Sequence, residues 1–121
     1  MNTHSIENEI VIIREESAIT LEFLIPAQCD FFDGHFPQFK LLPAVGQFEI
    51  IFRFAKKYFN VSRAVSSIKR MKFSAPVLPD AKVRLNLVCN IEKQSVTFKM
   101  WSALDENRIY SSGTFLVAAH E

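Results

Sequence analysis

His35 and Glu49 are the residues whose chemistry and setting stand out. His35 lies in Phe31-Phe32-Asp33-Gly34-His35-Phe36-Pro37, an apolar loop pinned by proline. Glu49 follows fourteen positions later, at the end of Leu42-Pro43-Ala44-Val45-Gly46-Gln47-Phe48-Glu49. A histidine and a carboxylate feeding one apolar cavity are a natural pair for proton transfer on a hydrophobic substrate, because burial and mutual charge bring both toward neutral pH. Each also has a plainer role. A lone histidine in such a loop is commonly a hydrogen-bonded structural residue. Glu49 precedes Arg53 by four, the favourable order for a surface ion pair on a helix. Residue type and spacing leave the two readings open.

The elements that would position this pair follow from periodicity. Ile10 to Arg14 is a short apolar run, and Ala18 to Ile25 alternates, with Ile19, Leu21, Phe23 and Ile25 on one face, as a strand does. Pro26 ends it, and Ala27 to Pro43 reads as a structured loop. From Ala44 to Asn60 the period changes to three and four, so one helix starts just after Pro43. Val45, Phe48, Phe52, Ala55 and Phe59 form one stripe of it, Ile50 and Phe54 the opposite side, and Arg53, Lys56, Lys57 and Asn60 a narrow polar wedge. Four further strands are expected at about Ala64–Phe73, Ala81–Ile91, Val96–Ser102 and Arg108–Ala118, with turns at Glu92–Gln94 and Leu104–Asn107. One helix cannot cover both faces of six strands. An antiparallel sheet curled around the helix, with its exposed edge or back covered by a second copy, satisfies the pattern, so the expectation is a single α+β domain spanning residues 1–121 that dimerises.

Composition narrows the classes of function. Of 121 residues 49% are apolar and 22% charged, enough for a core and incompatible with disorder. Fourteen basic against thirteen acidic residues give a net charge of +1, which removes any bulk pull toward nucleic acid or an anionic membrane. No apolar stretch reaches the roughly 18 residues of a spanning helix. The N-terminal residues lack a basic start followed by an apolar run, and Cys29 and Cys89 have no CxxC or His spacing, so the expectation is a cytoplasmic chain with two free thiols and no zinc site. Lys69, Arg70 and Lys72, with Arg53, Lys56 and Lys57, are the basic concentrations: solvated faces, or a docking patch for an acidic partner. Phenylalanine is the compositional oddity, twelve in all, eight of them between Phe31 and Phe59.

Gly34-His35-Phe36-Pro37, Leu42-Pro43-Ala44-Val45 and Gln47-Phe48-Glu49 together resemble the signature of the 3-hydroxyacyl-(acyl carrier protein) dehydratases: G-H-F-P, a short spacer, P-G-V, then Q-x-E or Q-x-D. Met71-Lys72-Phe73 through Pro76-Val77-Leu78-Pro79-Asp80 resembles the later K-F-x-x-P-V-x-P-G-D segment of that family. The short chain is also similar to the small members found in aryl polyene clusters. The resemblance implies a hotdog fold, a long central helix wrapped by a curved antiparallel sheet that dimerises into one continuous sheet. It implies that His35 takes the proton next to the thioester carbonyl and that Glu49, from the other subunit, protonates the departing β-hydroxyl. Gly34, Phe36, Phe39, Pro43, Ala44, Val45 and Phe48 would line the substrate site, with backbone N–H groups near Ala44 and Val45 polarising the carbonyl. No metal or redox cofactor is implied. The substrate would arrive on the phosphopantetheine arm of acyl carrier protein, or as an acyl-CoA, with Lys69, Arg70 and Lys72 as the docking patch. The assembly would be a homodimer, a higher even oligomer, or a heterodimer with a related dehydratase.

The sequence departs from that pattern at Ala44, where the family has glycine, at the spacer Gln38-Phe39-Lys40, at Gly46 in place of leucine, and before Asp80, where the glycine that usually precedes the aspartate is missing. Two alternatives go with these departures: an acyl-thioester hydrolase of the same fold, in which the helix carboxylate activates water, and a catalytically impaired subunit that binds acyl chains or partners an active one.

Overall fold

Alternation builds the strands and a three-to-four period builds the helix. The computed structural model describes residues 8–26, 44–59, 65–90 and 92–117. In chain order the elements are β1 (Ile10–Arg14), β2 (Ala18–Ile25), α1 (Ala44–Phe59), β3 (Val65–Phe73), β4 (Ala81–Asn90), β5 (Ser95–Ser102) and β6 (Asp105–Val117). All six strands join one antiparallel sheet in the order β1-β2-β4-β5-β6-β3. The helix is inserted between β2 and β3, which sends β3 to the far edge of the sheet.

Register places the apolar side chains of successive strands in rows. Leu21 lies opposite Leu85, Leu85 opposite Met100, and Met100 opposite Ser111. Ile19, Leu87 and Phe98 form the next row. These side chains are buried on the concave face, against α1. The opposite face is polar: Glu22 accepts from Arg84 Nε at 2.9 Å and pairs with Lys82 at 3.5 Å, while Thr97 and Thr114 share a hydroxyl hydrogen bond of 3.1 Å. The helix covers the face that carries the buried apolar rows, and the opposite face is mostly polar.

The helix is oriented differently from the stripe expected of it. Its buried side is Gln47, Ile50, Ile51, Phe54 and Ala55, centred on the residues assigned above to the opposite flank. Phe48, Phe52 and Phe59 are only partly buried. Phe48 lies edge-on to Phe115, with centroids 5.2 Å apart, and Phe52 meets the same ring at 5.9 Å. Phenylalanine on this flank packs on the sheet margin, while Ile50, Ile51, Ala55 and Phe54, whose ring meets Phe23 with centroids 4.8 Å apart, fill the space beneath the helix.

The last strand starts earlier than periodicity indicated. Ser102 pairs with Asp105, leaving Ala103 and Leu104 as a two-residue turn, and residues 106–108 bulge before Ile109 rejoins opposite Trp101. Asp105 Oδ1 accepts from the Asn107 N–H at 3.0 Å, so the polar run that reads as a long turn is a bulged strand start held by an Asx contact. No helix among the described residues is long and apolar enough to cross a membrane.

Candidate active site

The helix start is the chemically loaded end of the molecule. Ala44 opens α1, and no acidic residue occupies its first turn, so the first backbone N–H groups carry the positive end of the helix dipole without an intrahelical partner. Ala44 thus holds a helical backbone position, for which alanine has the best propensity, in place of the glycine of the family pattern. Lys56 and Lys57 in the last turn complement the other pole.

Glu49 stands a turn and a half into α1, on the side facing away from the sheet. Its side chain is 44% exposed and meets Arg53 NH2 at 3.9 Å, the helical ion pair expected from the spacing. So open a pair contributes at most about 1 kcal/mol. Burial beneath the helix would have sealed this carboxylate; its position leaves it free to meet a substrate or a second chain.

Gln47, two residues earlier, points the other way. It is 3% exposed, and its side-chain oxygen is buried without a hydrogen-bond partner. In the sequence Gln47 stands out only as part of a motif, and its burial has no signal in residue type. Phe48 lies between the two, its ring against Phe98 and Phe115. Phe48 is therefore anchored to β5 and β6, and its ring also stacks on Phe52 with centroids 6.3 Å apart.

His35, Gly34, Phe36, Phe39 and Pro43 lie outside the described residues, as does Cys29. Ala44 and Val45 are described by their backbone in α1. Lys69, Arg70 and Lys72 are exposed on β3, and Arg70 adopts φ 55° where β3 shifts register against β6. Asp80 also has positive φ, 65°, and its N–H donates to the Ile25 carbonyl at 2.8 Å. The left-handed position is the aspartate itself, a residue that tolerates it, in a segment that lacks the glycine of the family pattern. Cys89 is half-buried on β4, and burial pushes its thiol pKa up. Among the described residues no three of His, Cys, Asp and Glu come together as a metal site would require.

A second polar cluster went unnoticed in the sequence. Glu9, just before β1, places its 4% exposed carboxylate against the end of the helix, where Oε2 accepts from Lys57 Nζ and, at 2.8 Å, from the Tyr58 hydroxyl. Arg14 NH2 donates to the Tyr58 carbonyl at 3.2 Å and its guanidinium lies over the Tyr58 ring. These contacts span more than forty residues of sequence, so no local pattern announces them.

Residues 11–114 match the family model of the ApeI-like proteins, described as ApeI dehydratase. The chain belongs to the ApeI-like dehydratase family. The matched span contains the Gly34–Pro37 and Pro43–Glu49 segments together with every strand in whole or part. Among solved structures, this ApeI-like chain is similar to a chain of the dehydratase heterocomplex ApeI:P from Xenorhabdus doucetiae, at 26% identity and TM-score 0.77, over 93% of this chain and 100% of that one. An uncharacterized protein from Erwinia carotovora subsp. atroseptica is 28% identical with TM-score 0.78, covering 92% of this chain and 94% of that one. The pyran synthase domain from module nine of the sorangicin pathway shares the fold alone, at 16% identity and TM-score 0.67 over 96% of this chain and 41% of that one. No curated protein gives a significant match. The helix α1 in a six-stranded antiparallel wrap is the hotdog fold.

Proposed function

We propose that this ApeI-like dehydratase removes water from a 3-hydroxyacyl thioester carried on acyl carrier protein, giving the trans-2-enoyl thioester, with His35 as base and Glu49 as acid. The observation that supports the reading most directly is the family match across residues 11–114, which takes in both residues in their motif spacing. His35 takes the proton from the carbon beside the thioester carbonyl. The released electron pair forms the double bond as the C–O bond to the β-hydroxyl breaks, and Glu49 delivers a proton to that oxygen, which leaves as water. Backbone N–H groups at the start of α1 hold the carbonyl oxygen while it carries negative charge. The reaction moves protons and no net electrons, so no redox cofactor is required. Glu49 faces away from its own sheet, which suits a site completed by a second hotdog chain, and the relative from Xenorhabdus doucetiae is itself a dehydratase heterocomplex.

Incubating the pure protein with a panel of 3-hydroxyacyl carrier-protein thioesters and weighing the products tests the reading. Loss of one water from the acyl group is expected, and His35→Ala and Glu49→Gln should each slow it by about 10²- to 10⁴-fold with the fold intact. Wild-type rates in either variant would remove that residue from the mechanism. Release of free thiol instead of water would favour the hydrolase, and binding without turnover across the panel would favour the impaired subunit.

A further inference from the structure

A bulge decides which side chains of β3 face the helix. Ile68 lies opposite Phe115 and Phe73 opposite Ser111, so both belong to the concave face, while Lys69 opposite Thr114 and Lys72 opposite Ser112 belong to the polar one. Arg70 and Met71 therefore stand together against one residue, Gly113. Strict alternation from Lys69 would turn Arg70 inward and Met71 outward. Instead Arg70 takes the extra position at φ 55°, a left-handed conformation that arginine adopts only at a cost, and Met71 turns inward. Its Sδ lies 3.1 Å, and Phe98 Cε1 3.2 Å, from the point where a Cβ on Gly113 would stand. Sulfur and ring thus meet over the space that the glycine leaves. Phe98 in turn carries the ring of Phe48, with centroids 6.5 Å apart, and Phe48 is the helix residue next to Glu49. Met71 itself is half-buried and packs against the core.

We infer that Met71 is a specificity-determining residue of the acyl site, setting how long an acyl group the space beside Phe48 and Phe98 accepts; this rests on the dehydratase reading above, in which Phe48 lines that site. The strain at Arg70 brings no gain in strand pairing, which the bulge interrupts. What it achieves is aim: bulges beside active sites re-direct a side chain, and strained backbone gathers at such places. It also keeps a guanidinium out of apolar space, where burial without a partner is costly. Gly113 removes the side chain that would hold the thioether off Phe98. Methionine suits the position because an unbranched, polarizable side chain follows ligands of different shape better than a branched one does. Cutting it back to alanine frees room for about two methylenes of a ligand, and phenylalanine takes room away.

Titration calorimetry of the full chain with unreactive acyl-pantetheine amides of increasing chain length provides the test, on wild type, Met71→Ala and Met71→Phe. Wild-type affinity is expected to rise about fourfold per added methylene until a length limit is reached. Met71→Ala should move that limit up by about two carbons and bind the first lengths beyond it about tenfold more tightly than wild type. Met71→Phe should move the limit down. A purely structural methionine would make both variants worse at every length, so shifts in opposite directions are the signature. The same limit in all three proteins, or no binding at any length, would overturn the inference. So would a change in self-association by sedimentation equilibrium with the limit unmoved, which would assign Met71 to an interface. Because the ligands do not react, a protein that shows these shifts but fails the dehydration assay keeps the inference, and one that dehydrates with an unmoved limit loses it alone.

Discussion

Gln47 and Glu49 show what two positions on a helix can mean. They differ by about 200° around the axis, which puts one oxygen under the helix with no partner and the other carboxylate in the open. A buried carbonyl left without a donor costs about 1–3 kcal/mol. Gln47→Met, close in volume and apolar, should therefore raise stability by about 1 kcal/mol. Urea unfolding checks this, and a loss of stability would mean that the oxygen is satisfied in solution. Glu49 contributes little through Arg53, so Glu49→Gln should alter turnover far more than the unfolding midpoint.

Between elements, β6 comes close to β3 at Gly113. A Cβ at Gly113 would lie 3.1 Å from both Met71 Cα and Sδ, and 3.2 Å from Phe98 Cε1. The sulfur can swing away, but the backbone of β3 cannot do so without loosening its pairing beside the Arg70 bulge. Gly113→Ala should cost about 1–2 kcal/mol, seen as a lower thermal midpoint, with hydrogen exchange quickened in β3 before β4 and β5. Uniform exchange across the sheet would place the strain elsewhere. The bulge and the glycine thus form one device, a small residue opposite the extra one.

Across the whole molecule, the Glu9 clasp ties the N-terminal strand to the far end of the helix. Burial raises the Glu9 carboxyl pKa, but hydrogen bonds from Lys57 and Tyr58 outweigh it and leave a net lowering. Tyr58 is raised, by burial first and then by its bond to Glu9. A lowered acid stabilises the fold above the ordinary carboxylate range and loses that contribution as pH falls through its folded value. A raised tyrosine stabilises below the ordinary tyrosine range and loses its contribution as pH rises through its own. The clasp is thus complete across the neutral range and opens at both extremes. Glu9→Gln should cost about 1–2 kcal/mol near pH 7, discounted because the Lys57 end is exposed, and converge with wild type at an acid pH below the lowered folded value of the carboxyl. Denaturant unfolding at the two pH values measures it, and an equal deficit at both would assign the effect to packing.

Much of this architecture was legible in the chain because strands and helix each bury one face, and a period of two or of three to four records that. The boundaries of β1, β2 and β4 and the start of α1 fall within a residue of where alternation and Pro43 place them. The segments from Gly34 to Glu49 resemble the dehydratase signature, and the family match agrees with that resemblance. Three features were not legible. Which flank of a nearly all-apolar helix turns inward depends on the curvature of a sheet whose strands lie far away in sequence. The start of β6 depends on a pairing with Ser102 that rescues polar residues from a turn. Glu9, Lys57 and Tyr58 meet only because the chain closes. The twelve phenylalanines divide along the same line. Composition set how much apolar volume the protein must enclose, whereas packing decided that Phe98 and Phe115 make the floor on which Phe48 and Phe52 rest, because ring against ring is a contact between elements and no local spacing encodes it.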